Sequence, residues 1–578
     1  MTYPPPVRVL GVIRGRRDPP GSLARTDDLG GAWVHLLPRL ALGRVALVRA
    51  TEPGLAALVA TRATTLVVMD QIPHEPPDVD LLIGGPGAAA DLEPWASSVL
   101  AAGGIVVREN VGTRRSAAAA ISPHDTVLAV HPVRGPVRAA WPEGDESLSE
   151  WLSGAGLRSD AATRARMVSA ARRARRLFSR SGSPDRPSTR RGASAGEAAL
   201  PTRRARRMLR SVAWESARRV VAGVGRIEAA VDRLQGRSRR LVLRGVAPGP
   251  PAWLRDVAAE SLPGDDYRVA LAAPGEFPTQ KIVLALTAVG EGVPDTIVKV
   301  GRHRLVDERI ATAVSALEVI AANDLVLPGT VPAIRFAGTS DDVLVSGEQA
   351  FQGEGMNEAS WRSADCPWGA TARAWILDLG RRSVRPGAAG ELADALHDLQ
   401  DQLPSGLLSQ DEQTVLSDLA EQLRPLAVPT VMLHGDPGPW NMRVDVQSGR
   451  LCVLDWENGE PRGVPLWDLL YFLRSFGISV AGQAATGDRL ERGLHWLRDP
   501  ALAAVTADAV ARYVREVGIP AAAVRPIFFH VWTYQALKEA ARVPSADASR
   551  NIFLRTLRWL VAHRDAPAVN QAIGPRRA

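Results

Sequence analysis

Cysteine and lysine are nearly absent from this chain, which has two of the first and three of the second among 578 residues. Two cysteines, Cys366 and Cys452, cannot make a disulfide framework or a thiolate metal centre, so both read as ordinary packing or surface residues. The basic charge is almost wholly arginine, and only Lys281, Lys299 and Lys538 interrupt it. In such a chain a retained lysine invites a role that the larger, planar guanidinium fills poorly. Long apolar runs are missing as well. No stretch reaches about 18 uninterrupted apolar residues, and Met1-Thr2-Tyr3-Pro4-Pro5-Pro6 lacks the basic-then-apolar pattern of a secretion signal. The expectation is a cytoplasmic protein. A hydrophobic fraction of 46% and a charged fraction of 23% suit folded domains. The length points to two or three of them.

Against this background one stretch stands out, His434-Gly435-Asp436-Pro437-Gly438-Pro439-Trp440-Asn441, followed by an apolar run that ends in Leu454-Asp455-Trp456-Glu457. Between them, Met442 to Val446, the polar turn Gln447-Ser448-Gly449-Arg450 and the run Leu451 to Leu454 read as a β-hairpin. Symmetric pairing about Ser448 would set Asn441 opposite Asp455, with Asp436 in the loop just before. Carboxylates and an amide brought together in this way suit phosphoryl transfer. Mg2+ takes oxygen ligands, and an acceptor hydroxyl needs an oriented carboxylate for its proton.

His434, Gly435, Asp436, Asn441 and Asp455 resemble the signature of the aminoglycoside phosphotransferase and choline kinase family, as does the later Gly463-Val464-Pro465-Leu466-Trp467-Asp468-Leu469. The resemblance implies a C-terminal bilobal protein-kinase-like fold. It also implies ATP and Mg2+ as cofactors and a small-molecule hydroxyl as acceptor, with Asp436 catalytic, Asn441 and Asp455 on the metal, and Asp468 structural. His434 reads as a loop brace.

Upstream, Tyr267 to Leu271, Lys281 to Leu286 and Thr296 to Val300 read as three strands, followed by a helix from about Leu305 to Asn323, which is the order of a kinase N-lobe. Lys299 lies central in an apolar strand and needs anionic company, which nucleotide phosphates would supply. Arg304-Leu305-Val306-Asp307-Glu308 resembles the segment that braces this lysine in related phosphotransferases, so Glu308 is favoured, with Glu318 as the alternative in a shifted register. Ala273 to Gln280 would cover the phosphates, and Lys281 reads as a solvated strand residue, with contact to phosphate as the alternative. The adenine would lie near Glu348 to Ala350.

The first part of the chain differs in kind. Apolar runs at Val45 to Val48, Thr65 to Asp70, Val79 to Ile83 and Gly104 to Val107 alternate with alanine-rich stretches, which argues for a parallel α/β sheet. Asp70, Asp80-Leu81-Leu82 and Leu100 to Gly104 resemble a class I methyltransferase domain, implying a Rossmann-like, doubly wound fold. Arg49-Ala50-Thr51-Glu52-Pro53-Gly54 keeps one glycine of that family's cofactor loop, so the site for S-adenosylmethionine looks degenerate.

Residues 161 to 244 hold 23 Arg against 5 acids, which is +18 in a chain whose total is +8, so the remainder carries −10. Met167, Ala171, Ala174 and Phe178 fall on one helical stripe, and Val220, Val224, Ile227, Val231 and Leu234 on another. Three fates suit basic amphipathic helices: packing within the chain, self-association, or contact with anionic lipid. No aromatic platform or reading motif accompanies the charge, which argues against nucleic acid. The expected division is a methyltransferase-like domain over 1–160, an arginine-rich linker with helices over 161–245, and a kinase-like domain over 246–578. Two rival functions stay open, a nucleotide-binding pseudokinase scaffold and a bifunctional methyltransferase-kinase.

Overall fold

The computed structural model describes residues 9–14, 35–48, 55, 59, 62–69, 78–85, 92–112, 126–131, 139–142, 238–244, 246–247, 249–262, 266–273, 281–302, 304–356, 363–403, 406–481, 488–542 and 551–573. The chain divides into two compact units. The first is Met1–Gly249 with Arg268–Glu276, and the second is Pro250–Tyr267 with Phe277–Ala578.

In the first unit the strands are β1 (Val9–Arg14), β2 (Gly43–Val48), β3 (Ala63–Met69), β4 (Leu81–Gly84), β5 (Ile105–Gly112), β6 (Thr126–His131), β7 (Ala139–Pro142), β8 (Ser238–Arg244) and β9 (Tyr267–Ala272), of which the last belongs here from Arg268 onward. They lie in the order β1-β3-β2-β4-β5-β8-β6-β7-β9. β2 pairs in parallel with β3 and β4, and β4 with β5. These four are the apolar runs that the sequence marks. Val45, Ala46, Leu47 and Val48 are all fully buried, as expected for a parallel strand covered on both faces. Helix α1 (Glu93–Ala101) places Trp95, Ala96 and Val99 against Ala46, Val48, Leu82 and Val106. Asp80 holds the start of β4 to that of β2 by accepting from the Arg44 backbone at 2.7 Å.

One strand departs from expectation. β8 comes from the end of the arginine-rich region and pairs antiparallel with both β5 and β6. Leu241 and Leu243, at strand period, supply its buried side. β9 forms where the sequence marks it, and pairs with β7 through Ala139↔Ala272 and Ala140↔Leu271. The expected cofactor loop (49–54), Asp70, the phosphate-covering loop from Pro274 to Gln280, and both basic helical stripes lie outside the described residues.

The second unit opens with α2 (Ala252–Ala258). Four strands paired antiparallel follow, β10 (Ile282–Ala288), β11 (Thr296–Val300), β12 (Ile334–Ser340) and β13 (Val343–Gln349), in the order β10-β11-β13-β12. Between β11 and β12 runs α3 (Arg304–Ala322), whose buried residues Val306, Ile310, Ala313, Leu317 and Ile320 step by four and three along one face. The rest is mainly helical: α4 (Pro367–Ser383), α5 (Glu391–Asp401), α6 (Gln410–Glu421), α7 (Trp467–Ala481), α8 (Arg489–Gly493), α9 (His495–Arg498), α10 (Pro500–Val517), α11 (Val524–Arg542), α12 (Ile552–Ala562) and α13 (Pro567–Ile573). α7 is buried almost all round, and its Phe472 shares one core with Trp456, Trp496, Trp532 and Phe528. Short strands β14 (Glu354–Gly355), β15 (Val431–Leu433), β16 (Met442–Asp445), β17 (Arg450–Val453) and β18 (Glu460–Gly463) carry the connecting loops. Among the described residues no helix is long and apolar enough to cross a membrane.

Candidate active site

The marked hairpin forms, with a register one residue away from the symmetric expectation. Met442 pairs with Val453 and Asp445 with Arg450, and Leu454 donates its N–H to the carbonyl of Asn441 at 2.7 Å. Asn441 therefore opposes Leu454 rather than Asp455. The cause is a four-residue loop, Val446 to Gly449. Asp445 caps it by accepting from the N–H of Gln447 at 3.0 Å and of Ser448 at 3.3 Å, and Gly449 closes it at φ +73°. Asp455 then leaves the strand with φ +69°, a left-handed conformation that is uncommon for a residue other than glycine and collects at functional sites.

The loop before the hairpin is held from several sides. The Gly435 φ of +78°, and the position of a would-be Cβ 2.2 Å from the Asn458 carbonyl, admit only glycine there. Asp468, at the start of α7, accepts from the N–H of His434 at 2.6 Å and of Gly435 at 2.9 Å. Burial pushes its carboxyl up to about 7 against the pull of those two donors. His434 is fully buried. Its Nε2 donates to the carbonyl of Leu454 at 2.8 Å, and its Nδ1 accepts from the N–H of Asp436 at 3.2 Å. Burial lowers its pKa, so it ties loop to hairpin as a neutral ring. Asp436 emerges from this frame half-buried, and the Asn441 Nδ2 donates both to its carbonyl at 2.9 Å and to its Oδ2 at 3.2 Å. That leaves the amide oxygen of Asn441 as its acceptor group.

Lys299 is buried to 6% exposure in β11. Its ammonium donates to Glu348 of β13 and lies 3.9 Å from Asp455 Oδ1. The pairing follows from register. Ile297 opposes Glu348 and Lys299 opposes Ser346, so Lys299 and Glu348 are diagonal neighbours on one face. Glu308, the expected brace, is instead exposed and accepts from Arg304 at 2.8 Å, one turn away. Glu318, the alternative, is exposed too. Helix α3 reaches the site through the next residue, Arg309, which donates to Glu457 at 3.1 Å. At the expected adenine position, the N–H groups of Gln349 and Ala350 are engaged by the carbonyls of Ala333 and Asp295, both at 2.8 Å.

Lys281 is not solvated. Its ammonium donates to Asp455 Oδ1 and, at 3.1 Å, to Glu457, with the side chain 15% exposed. Burial opposes the charged Asp455, but Lys281 and Lys299 outweigh it and hold the carboxyl well below the usual range. The third lysine, Lys538, donates to the carbonyl of Gly435 at 2.8 Å and lies 5.2 Å from the centre of the Tyr534 ring. All three lysines thus meet the marked motif or the residue beside it. Their rarity was the available signal. Around Lys538, Tyr534 donates to Glu460 at 2.5 Å and packs on Trp467 at 4.5 Å. Of the motif tryptophans, Trp456 is fully buried and Trp440 is 52% exposed.

Metal fit can be read from the donors. Asp455 and Asn441 offer the hard oxygen atoms that Mg2+ prefers, and this ion usually takes one or two carboxylates with the rest from phosphate and water. Among the described residues no cluster of three or more His, Cys, Asp or Glu could hold a metal by itself. The donor set fits an ion shared with a nucleotide, and does not fit an all-protein cage.

Residues 284–505 match the model of the phosphotransferase enzyme family. No curated protein matches the chain. Among solved structures, a glucosamine kinase is similar over 56% of this chain and 85% of its own, at 14% identity and a TM-score of 0.33. The GDP complex of aminoglycoside 2'-phosphotransferase-IIIa is similar over 49% of this chain and 90% of its own, at 14% identity and 0.31. Choline kinase LicA from Streptococcus pneumoniae covers 52% of this chain and 93% of its own, at 15% identity and 0.29.

Proposed function

We propose that the region matching the phosphotransferase enzyme family moves the terminal phosphoryl group of ATP to a hydroxyl of a small molecule, with Asp436 as the catalytic base. The observation that carries this is the Asp436–Asn441 contact, in a loop tied by His434 to the strand that ends at Asp455. Mg2+ and ATP, when bound, supply the phosphoryl group and neutralise its charge. The chain supplies the rest. Asp436 orients the acceptor hydroxyl and takes its proton, while the Asn441 amide fixes the Asp436 carboxylate in place. The Asn441 oxygen and the Asp455 carboxylate would hold the metal. Lys299, set by Glu348, offers its ammonium to phosphate.

A second reading, a nucleotide-binding scaffold without turnover, draws its support from Lys281, which already engages a carboxylate that the metal would use. Full-length protein incubated with γ-labelled ATP, Mg2+ and an extract of polar metabolites separates the two. A labelled acceptor supports transfer. Nucleotide binding without hydrolysis or transfer across the extract supports the scaffold.

For the first unit the proposal is a Rossmann-like, methyltransferase-like fold. Its support is the parallel order β3-β2-β4-β5 flanked by the antiparallel β8. Calorimetry with S-adenosylmethionine tests whether a bifunctional enzyme is tenable, since absent heat would remove it.

A further inference from the structure

We infer that the Lys281 ammonium is a resident counter-cation, holding the Asp455 oxygen that would otherwise be open to a divalent ion, and that a metal must displace it to bind. The inference rests on the phosphotransferase reading above. Four observations lead to it. Lys281 bridges the two carboxylates Asp455 and Glu457 from a position at the edge of β10. Oδ1 of Asp455 is already within 3.9 Å of a second ammonium, that of Lys299. The charges of this group balance without any ligand, with Lys281, Lys299 and Arg309 set against Glu348, Asp455 and Glu457. An added dication therefore brings an excess of positive charge, which is relieved when an ammonium leaves and phosphate arrives. Finally, Lys281 is a lysine in a chain that otherwise uses arginine. An ammonium on a flexible stem can step aside, whereas a guanidinium clamped across two carboxylates resists doing so.

Lys281 would then act as a positioning residue. Before the nucleotide binds it keeps Asp455 ionised and paired, which avoids an unmatched buried charge. Afterwards its ammonium is free to meet the phosphates. Metal and lysine compete for one oxygen, so the metal affinity of the nucleotide-free protein is set partly by Lys281.

The test uses Mn2+ alone, without nucleotide, on the full-length chain, with free ion followed by electron paramagnetic resonance. Lys281→Met, close in length and uncharged, should bind Mn2+ at least about tenfold tighter than the wild type, a gap of about 1.4 kcal/mol. Equal or weaker binding overturns the proposal. A second measurement needs no variant. Amine acylation followed by peptide mass spectrometry reads Lys281 and Lys538 side by side. Saturating Mn2+ should raise acylation of Lys281 severalfold and leave Lys538 unchanged, and an unaltered Lys281 sinks the idea even if the variant fails to fold. Neither readout is turnover. Transfer with an immobile Lys281 would remove this inference alone, whereas a displaced Lys281 without transfer would remove the enzymatic reading alone.

Discussion

Arg309 donates to Glu457 at 3.1 Å while its chain neighbour Glu308 faces outward to Arg304. Helix α3 is thus joined by a cation to the turn that follows the hairpin, and the carboxylate that holds Lys299 comes from β13. In the kinase-like arrangement that the sequence suggested, one helix acid would have done both jobs. Here they are divided between Glu348, which fixes the lysine, and Arg309, which fixes the helix through Glu457.

This division predicts unequal effects of two similar substitutions. Glu348→Gln leaves the buried Lys299 ammonium without its charged partner on the strand, and loss of one member of a buried pair costs about 3–5 kcal/mol. Glu308→Gln removes one end of an exposed pair and should change stability by less than about 0.5 kcal/mol. Thermal unfolding of the purified variants gives the comparison. A large drop for Glu308→Gln with none for Glu348→Gln would show that Lys299 is braced by the helix after all.

The motif residues were legible because spacing along the chain determines them. A loop running into a hairpin sets Asn441 on Asp436, and the run that leads to Asp455 follows one residue off the symmetric register because of the Asp445-capped loop. The lysine partners were not legible, because each depends on contacts across distant elements. Glu348 is placed by the pairing of β11 with β13, and no helical segment motif reports that. Lys281 meets Asp455 across 174 positions. In the first unit, the parallel strands announced themselves as apolar runs. β8 did not, because Leu241 and Leu243 are separated and surrounded by arginine and look like part of the basic segment.

Asp468 gives the loop before the hairpin a pH dependence. Its carboxyl stands at about 7 against an ordinary value of 3.8. A folded pKa raised above the unfolded one adds stability below the unfolded value and loses it as pH rises through the folded one. The wild type should therefore lose part of its thermal stability between about pH 4 and pH 7 through this group. Asp468→Asn removes the titration and also one of two acceptors for the N–H groups of His434 and Gly435, a cost of about 1–3 kcal/mol. Melting curves should show a lower midpoint for the variant, with a smaller fall across that window. An unchanged slope would mean that Asp468 does not titrate there.

Gly435 and Gly449 have nearly the same φ, +78° and +73°, but different surroundings. A methyl group at 435 would meet the Asn458 carbonyl at 2.2 Å, whereas at 449 nothing lies within 4 Å. Gly449→Ala should show only the backbone penalty, about 1 kcal/mol. Gly435→Ala carries that penalty plus a clash with backbone, so it should melt distinctly lower and displace Asp436. Equal melting of the two would show that the loop yields freely around Asn458.

Asp436 and Asp455 should fail in different ways when neutralised. Asp436→Asn keeps the contact with Asn441 in shape and changes no partner of either buried lysine. Its thermal stabilisation by Mg2+ and ATP should therefore stay near that of the wild type while turnover falls about 100-fold or more, the usual contribution of a positioned base. Asp455→Asn acts on the other side of the cluster. It removes the charge that Lys281 and Lys299 share, so part of the stability goes with it. What remains should bind ATP with little dependence on Mg2+, since the carboxylate that would favour the ion is gone. The measurement is a nucleotide titration by thermal shift, with and without Mg2+, for the three proteins in parallel with a transfer assay. Retained Mg2+ dependence in Asp455→Asn would take the metal away from Asp455, and wild-type turnover in Asp436→Asn would take the base away from Asp436.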